Sequence, residues 1–155
     1  MTIKIYRGRD CVHHDVSSEH PENPDRLYAI DDQLLSSGLE MICQHGDARQ
    51  VKRENLELAH DPYYVDSIFQ RSPRTGVIWL EQDTGMTPIT LSAALYAAGA
   101  GCDAVDWVME GDDRQAFCAV RPPGHHAGPY GAVGGQSAGF CVLSNAAIGA
   151  AYAMA

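Results

Sequence analysis

The chain has 155 residues, 45% hydrophobic and 20% charged, the balance of an ordinary globular protein of one domain or part of one. Its formal net charge of -9 and isoelectric point near 5.0 argue against a general nucleic-acid binder, which needs basic groups to neutralise phosphates, and favour cationic substrates and partners. No apolar stretch reaches membrane-spanning length and nothing resembles a signal peptide, so the expected setting is cytoplasmic, or nuclear if the source is eukaryotic.

Residues 2–6 alternate polar and apolar side chains and predict a first strand. The stretch from Cys11 to His20 holds His13, His14, Asp15, Glu19 and His20, residue types that suit zinc. Its spacing is loose and no two of these histidines stand four apart, so a metal role is the lesser reading there. Asn23 predicts a helix cap with Pro24 at the first helical position. Leu27, Ile30, Leu34 and Leu35 then mark an apolar face, and Gly38 closes the helix.

Glu40 to Cys43 predicts a second strand and residues 47–52 a polar connection. Asp61 with Pro62 after it starts another helix, whose inward side is Tyr64, Val65 and Ile68. His60, just ahead of it, reads as a structural, hydrogen-bonded histidine. Residues 70–85 are rich in turn formers and charges and read as a surface loop. A long helix from about Pro88 to Glu110 follows, capped by Thr87-Pro88, with Leu91, Leu95, Ala98, Val105 and Val108 on its apolar side. Its many Ala and Gly residues allow close packing on a sheet, and Gly111 ends it.

The five cysteines, Cys11, Cys43, Cys102, Cys118 and Cys141, form no CxxC and are odd in number. Buried reduced thiols are the expected state.

Residues 116–120 are almost wholly apolar and end abruptly at Arg121, the pattern of a buried, central strand in a parallel sheet. The loop Arg121-Pro122-Pro123-Gly124-His125-His126-Ala127 then leaves the carboxyl end of that strand, the edge where open α/β sheets bind ligands. Two prolines stiffen it, Gly124 permits a turn that other residues resist, and two adjacent imidazoles let one ring accept a proton while the other donates. From the pair alone, surface polar histidines are the commoner case.

The flanking residues add more. Arg-Pro-Pro-Gly-His-His-Ala, followed by Gly139-Phe140-Cys141 and by Ser144-Asn145-Ala146 opening a small-residue helix, resembles the signature of the zinc-dependent deacetylases. That superfamily includes histone deacetylases and acetylpolyamine amidohydrolases. His20-Pro-Glu-Asn-Pro-Asp-Arg26 and Leu56-x-x-Ala-His-Asp-x-x-Tyr-Val resemble the same family. The resemblance covers nearly the whole chain and reads as the amino-terminal portion, residues 1–155, of a single catalytic domain. It implies a three-layer α/β fold with a mainly parallel sheet, arginase-deacetylase-like and incomplete at the carboxyl end.

For function it implies a zinc-dependent amide hydrolase that removes acetyl groups from lysine side chains, with acetylated polyamines as the alternative substrate. His126 is the implied general base and acid and His125 its electrostatic partner or a proton shuttle. Gly139 and Phe140 line the channel and Cys141 lies near its floor. Asp83 matches a residue that grips substrate backbone, and a loop-solvating carboxylate is its other reading. Arg26 matches an arginine beside an internal cavity, or else is a helix-start arginine paired with Glu22 or Asp25. The family's Asp-x-Asp-x-His and later Asp metal ligands have no counterpart here, so no zinc is expected on this chain alone. A non-catalytic remnant or binding module is therefore the second reading. The uncharged, glycine-rich segment 128–138 departs from the family's usual bridge and leaves substrate choice open. An uncovered hydrophobic sheet edge predicts self-association.

Overall fold

A computed structural model describes residues 1–131 and 137–155. Alternating side chains make β1 (Thr2–Arg7), whose carboxyl end opens into a loop carrying one turn of 3-10 helix at Cys11–His13. There follow α1 (Asp25–Ser36), α2 (Leu39–Ile42), β2 (Gln44–Asp47), α3 (Arg53–Leu56) and α4 (Pro62–Arg71). A small hairpin of β3 (Ile78–Trp79) and β4 (Gly85–Met86) precedes the long α5 (Thr90–Met109), β5 (Arg114–Ala119) and α6 (Asn145–Ala153).

The order in the main sheet is β2-β1-β5 and both pairings are parallel, with Ile5 set between His45 and Phe117. Ala100, Ala104 and Trp107 of α5 cover the face that carries Tyr6, Ala116 and Cys118. Leu27, Ile30 and Leu34 of α1 pack around Ile5 on the other face. Behind α5, Ala94, Ala98 and Cys102 meet Val65 and Ile68 of α4 and Ile148 of α6. The result is the expected three-layer α/β arrangement. Alanine along α5 lets the sheet and α6 approach it closely, and each large aliphatic in these clusters contributes about 1.5–3 kcal/mol by leaving water.

Several local expectations are corrected. The strand expected at Glu40–Cys43 is the helical turn α2, with Met41 86% and Ile42 78% exposed. The strand begins four residues later than expected, on the polar run Gln44–Asp47, because an edge strand needs backbone pairing more than apolar side chains. α1 starts at Asp25 rather than Pro24, and the Asn23 side chain accepts from the Asp25 N–H at 3.0 Å. Leu35 and Val108, expected inward, are exposed, because the buried stripes of their helices run through Leu27 and through the alanines instead. α5 begins at Thr90, whose hydroxyl accepts from the Thr87 N–H at 2.8 Å. The stretch expected as loop contains the hairpin, closed by Leu80 N–H donating to the Thr84 carbonyl at 2.8 Å.

The expected central strand β5 has β1 as its one neighbour among the described residues, and Phe117 is 44% exposed. The cap at Asp61 forms as expected, its carboxylate accepting from the Tyr63 N–H. Of the glycine-rich segment, residues 132–136 lie outside the described residues.

Candidate active site

β5 delivers the chain to the carboxyl edge of the sheet, where Arg121 turns inward and is 1% exposed. Its Nε donates to Glu22 Oε1 at 2.7 Å, Nη2 to Glu22 Oε2 at 2.9 Å and Nη1 to the Cys11 carbonyl at 3.0 Å. A planar guanidinium suits such a fork. The Arg121–Pro122 peptide is cis. Further along, the Gly124 carbonyl accepts from the Ala146 N–H at 2.9 Å, so the loop rests on the start of α6. A Cβ at Gly124 would stand 2.2 Å from Asn145 Cγ. Gly124 does not adopt positive φ, so close approach rather than an unusual turn is what requires glycine there.

The His125 N–H donates to Cys141 Sγ at 3.4 Å. The His125 and His126 rings lie 4.2 Å apart between centroids, inclined by 54°, and both are exposed. With Pro123 they border a cleft of about 320 Å³. Pro21, Glu22 and Arg26 contribute to it from the start of α1 and the segment before it, and Gly139 and Phe140 from the segment ahead of α6.

Gly139 and Phe140 both have left-handed backbone, with φ of 54° and 68°. Phenylalanine in that region is a genuine outlier, of the kind that persists where surrounding structure enforces it. The surroundings are specific. The Phe140 ring meets the His20 ring edge-on, centroids 4.9 Å apart. His20 Nε2 lies 3.1 Å from the Asp83 carbonyl, and its Nδ1 lies 3.0 Å from the Glu22 carbonyl and 3.2 Å from the Glu22 N–H, so the ring is tied to both segments. The Asp83 carboxylate bonds the hydroxyls of Thr84 and Ser137, and Ser137 Oγ accepts from the Gly139 N–H at 2.9 Å.

Three buried groups on segments packed around this loop have displaced pKa values. Burial pushes the His14 pKa down to about 4 against the pull of Glu22, so His14 is neutral at pH 7. Its Nε2 faces Glu22 Oε2 at 3.5 Å and its Nδ1 lies 2.8 Å from Thr90 Oγ1. Burial also lowers the His60 pKa. His60 Nε2 accepts from the Ser144 N–H at 2.9 Å, which puts the proton on Nδ1, on the side of the Gly128 and Pro129 backbone. The Cys11 thiol is pushed up to about 11 by burial, which keeps it protonated.

His125, His126, Gly139, Phe140 and Arg26 therefore share one cleft. Arg26 borders it with its side chain 55% exposed, paired to Glu22 at 3.2 Å, rather than lying in a cavity below. Cys141 is buried behind the loop and is not among the cleft's lining residues, nor is Asp83, which acts on the Phe140 turn through Ser137. The sequence reading does not pair Glu22 with Arg121. Each belongs to a recognisable motif, but nothing in their sequence separation signals that they meet.

A family model for the histone deacetylase domain matches residues 20–155. The chain belongs to the histone deacetylase family. It is 40% identical to human polyamine deacetylase HDAC10, over 85% of this chain and 20% of that protein. It is 51% identical to type-2 histone deacetylase 1 of Dictyostelium discoideum, over 92% of this chain and 13% of the relative. The crystal structure of the HDA15 HD domain superposes with a TM-score of 0.85 at 30% identity, covering 99% of this chain and 43% of that one. The α/β fold is thus the arginase-deacetylase-like one, and this deacetylase-family chain spans a fifth of the human relative's length.

The family is zinc-dependent, and a zinc ion takes about four donors, three of them from protein in catalytic sites. Among the described residues no three His, Cys, Asp or Glu side chains stand together. Of the cleft's lining residues only Glu22, His125 and His126 carry donors, and the Glu22 oxygens are already occupied by Arg121 and Arg26. These residues do not fit a zinc ion by themselves.

Proposed function

We propose that this chain carries the proton-handling side of an amide-hydrolase site for acetylated amines, either acetyl-lysine in a protein or an acetylated polyamine. The observation that carries it is the His125–His126 pair at a cleft shared with Gly139 and Phe140. A flexible aliphatic stem needs an apolar wall, which Phe140 supplies, while the amide needs polar groups only at the inner end. His126 lies against Gly139 and serves as base and then acid, and His125 at its side takes the partner role. The zinc donors that the family requires come from outside these residues. A cytoplasmic setting, which keeps the five free thiols reduced, belongs to the same reading.

The lack of a three-donor cluster among the described residues favours a second reading, a non-catalytic remnant. One experiment separates the two. The 155-residue chain, assayed with a fluorogenic acetyl-lysine peptide and an acetylated polyamine, is expected to show no turnover and no stoichiometric zinc. The coding sequence beyond Ala155 is read for an in-frame Asp-x-Asp-x-His. If it is present, the longer protein is expected to deacetylate and to lose that activity on His126→Ala. A longer protein that binds zinc yet turns over neither substrate, or an immediate stop codon in independent isolates, overturns the hydrolase reading.

A further inference from the structure

We infer that Glu22 is a positioning residue for the His125–His126 pair and acts through Arg121, an inference that rests on the deacetylase reading of the cleft. Glu22 is 1% exposed and comes to Arg121 from 99 residues away in sequence. Both of its oxygens are used by Arg121, at 2.7 and 2.9 Å, and Arg121 has a third anchor in the Cys11 carbonyl at 3.0 Å. The side chain that heads the loop is therefore held along three directions.

Only two prolines and a glycine separate Arg121 from His125. Proline fixes φ, so an orientation imposed at Arg121 is carried along the loop with little slack. At the other end Gly124 is pressed against Asn145. The histidine backbone is thereby located between a charge clamp and the start of a helix.

Stability alone does not explain a charge pair in this place. A buried ion pair gains little over apolar side chains of the same volume, because desolvation offsets most of the attraction. What it adds is a defined geometry, since a carboxylate accepts a guanidinium in few orientations. His14 reinforces the choice by standing neutral beside Glu22, so the carboxylate is left to the two arginines.

The test uses readouts that need neither zinc nor substrate. Ring ¹H–¹⁵N correlation spectra of His125 and His126 and hydrogen exchange of the loop amides are compared in the 155-residue chain, in Glu22→Gln, in Arg121→Lys and in Asp61→Ala. Asp61→Ala removes the α4 cap and destabilises the chain elsewhere. Glu22→Gln and Arg121→Lys are expected to move both ring signals and to speed exchange at 124–126 by about tenfold or more, while Asp61→Ala leaves the ring signals in place. Unmoved rings in a folded Glu22→Gln chain, or equal movement in Asp61→Ala, overturn the inference. Should both loop variants unfold, exchange in the unmodified chain decides. The amides of Glu22 and His125 are then expected to open with one common free energy, and clearly different values overturn it. Failure of deacetylation in the longer protein would remove the hydrolase reading and leave this geometric result standing.

Discussion

Gly139 lies so near His126 that a Cβ added to it would stand 2.7 Å from ring carbon Cδ2 and 3.2 Å from Cγ. The same glycine has φ of 54°, where side chains are strained whatever the space around them. Two independent effects thus oppose any other residue. Gly139→Ala is expected to lose about 1–3 kcal/mol of stability and to displace the His126 ring. Denaturant midpoints together with the His126 ring spectrum check this. An alanine variant with wild-type midpoint and ring signal would show that the contact is loose.

His14 makes stability depend on pH in a stated direction. Its folded pKa of about 4 lies below the ordinary value of 6.5 because burial disfavours the charged ring. Below pH 6.5 the unfolded chain binds a proton that the folded chain refuses, so stability falls as pH drops from about 6.5 towards 4. The full span corresponds to about 3 kcal/mol from this group. His60, also lowered by burial, acts in the same sense. Urea unfolding at a series of pH values is expected to show that slope, and His14→Gln to flatten it. An equal slope in the variant would assign the effect to other groups.

His60 offers a lone-pair acceptor to the Ser144 N–H at 2.9 Å, in a place where both groups are buried. Ser144 in turn caps α6, its hydroxyl accepting from the Ala147 N–H. His60→Phe fills the space but removes the acceptor, and an unsatisfied buried N–H costs about 1–3 kcal/mol. The expected outcome is a loss of that size, seen in denaturant unfolding, together with faster exchange at the Ser144 amide. Exchange at Ser144 that stays slow would mean that the imidazole is filling space only.

The cleft was legible where chemistry and local conformation coincide. His125, His126, Gly139 and Phe140 were expected as a site because a proline-stiffened loop at the end of an apolar strand is itself a signal, and they do share a cleft. The cap at Asp61 and the helix opening at Ser144 were legible for the same reason, since each is settled within a few residues. The Glu22–Arg121 clamp was not, because it is a relation between residues 99 apart and neither motif encodes its partner. The exchange of a strand for α2 at Leu39–Ile42 has another cause. Apolar residues there suggested burial, but Gly38, in left-handed conformation, turns the chain so that Met41 and Ile42 face outward. An uncovered sheet edge was expected, but that β5 is the strand at it was not readable, since an apolar strand looks the same with one neighbour or two.

That edge has a consequence for the 155-residue chain in solution. β5 pairs with β1 on one side, and among the described residues no strand pairs with the other, so its outer N–H and C=O groups are a template for another strand. Phe117 on this strand is 44% exposed, which adds apolar area to the unpaired backbone. Concentration-dependent association is therefore expected, with sedimentation velocity showing species heavier than the 16.8 kDa monomer. Phe117→Lys leaves the β1 pairing intact, because backbone groups make it, and places a charge that must be desolvated on any strand that docks there. It is expected to shift the distribution towards monomer without lowering the unfolding midpoint by more than about 1 kcal/mol, since the ring is already half in water. A sharp monomer boundary at every concentration, with cooperative melting, would show that the edge is closed by some other means.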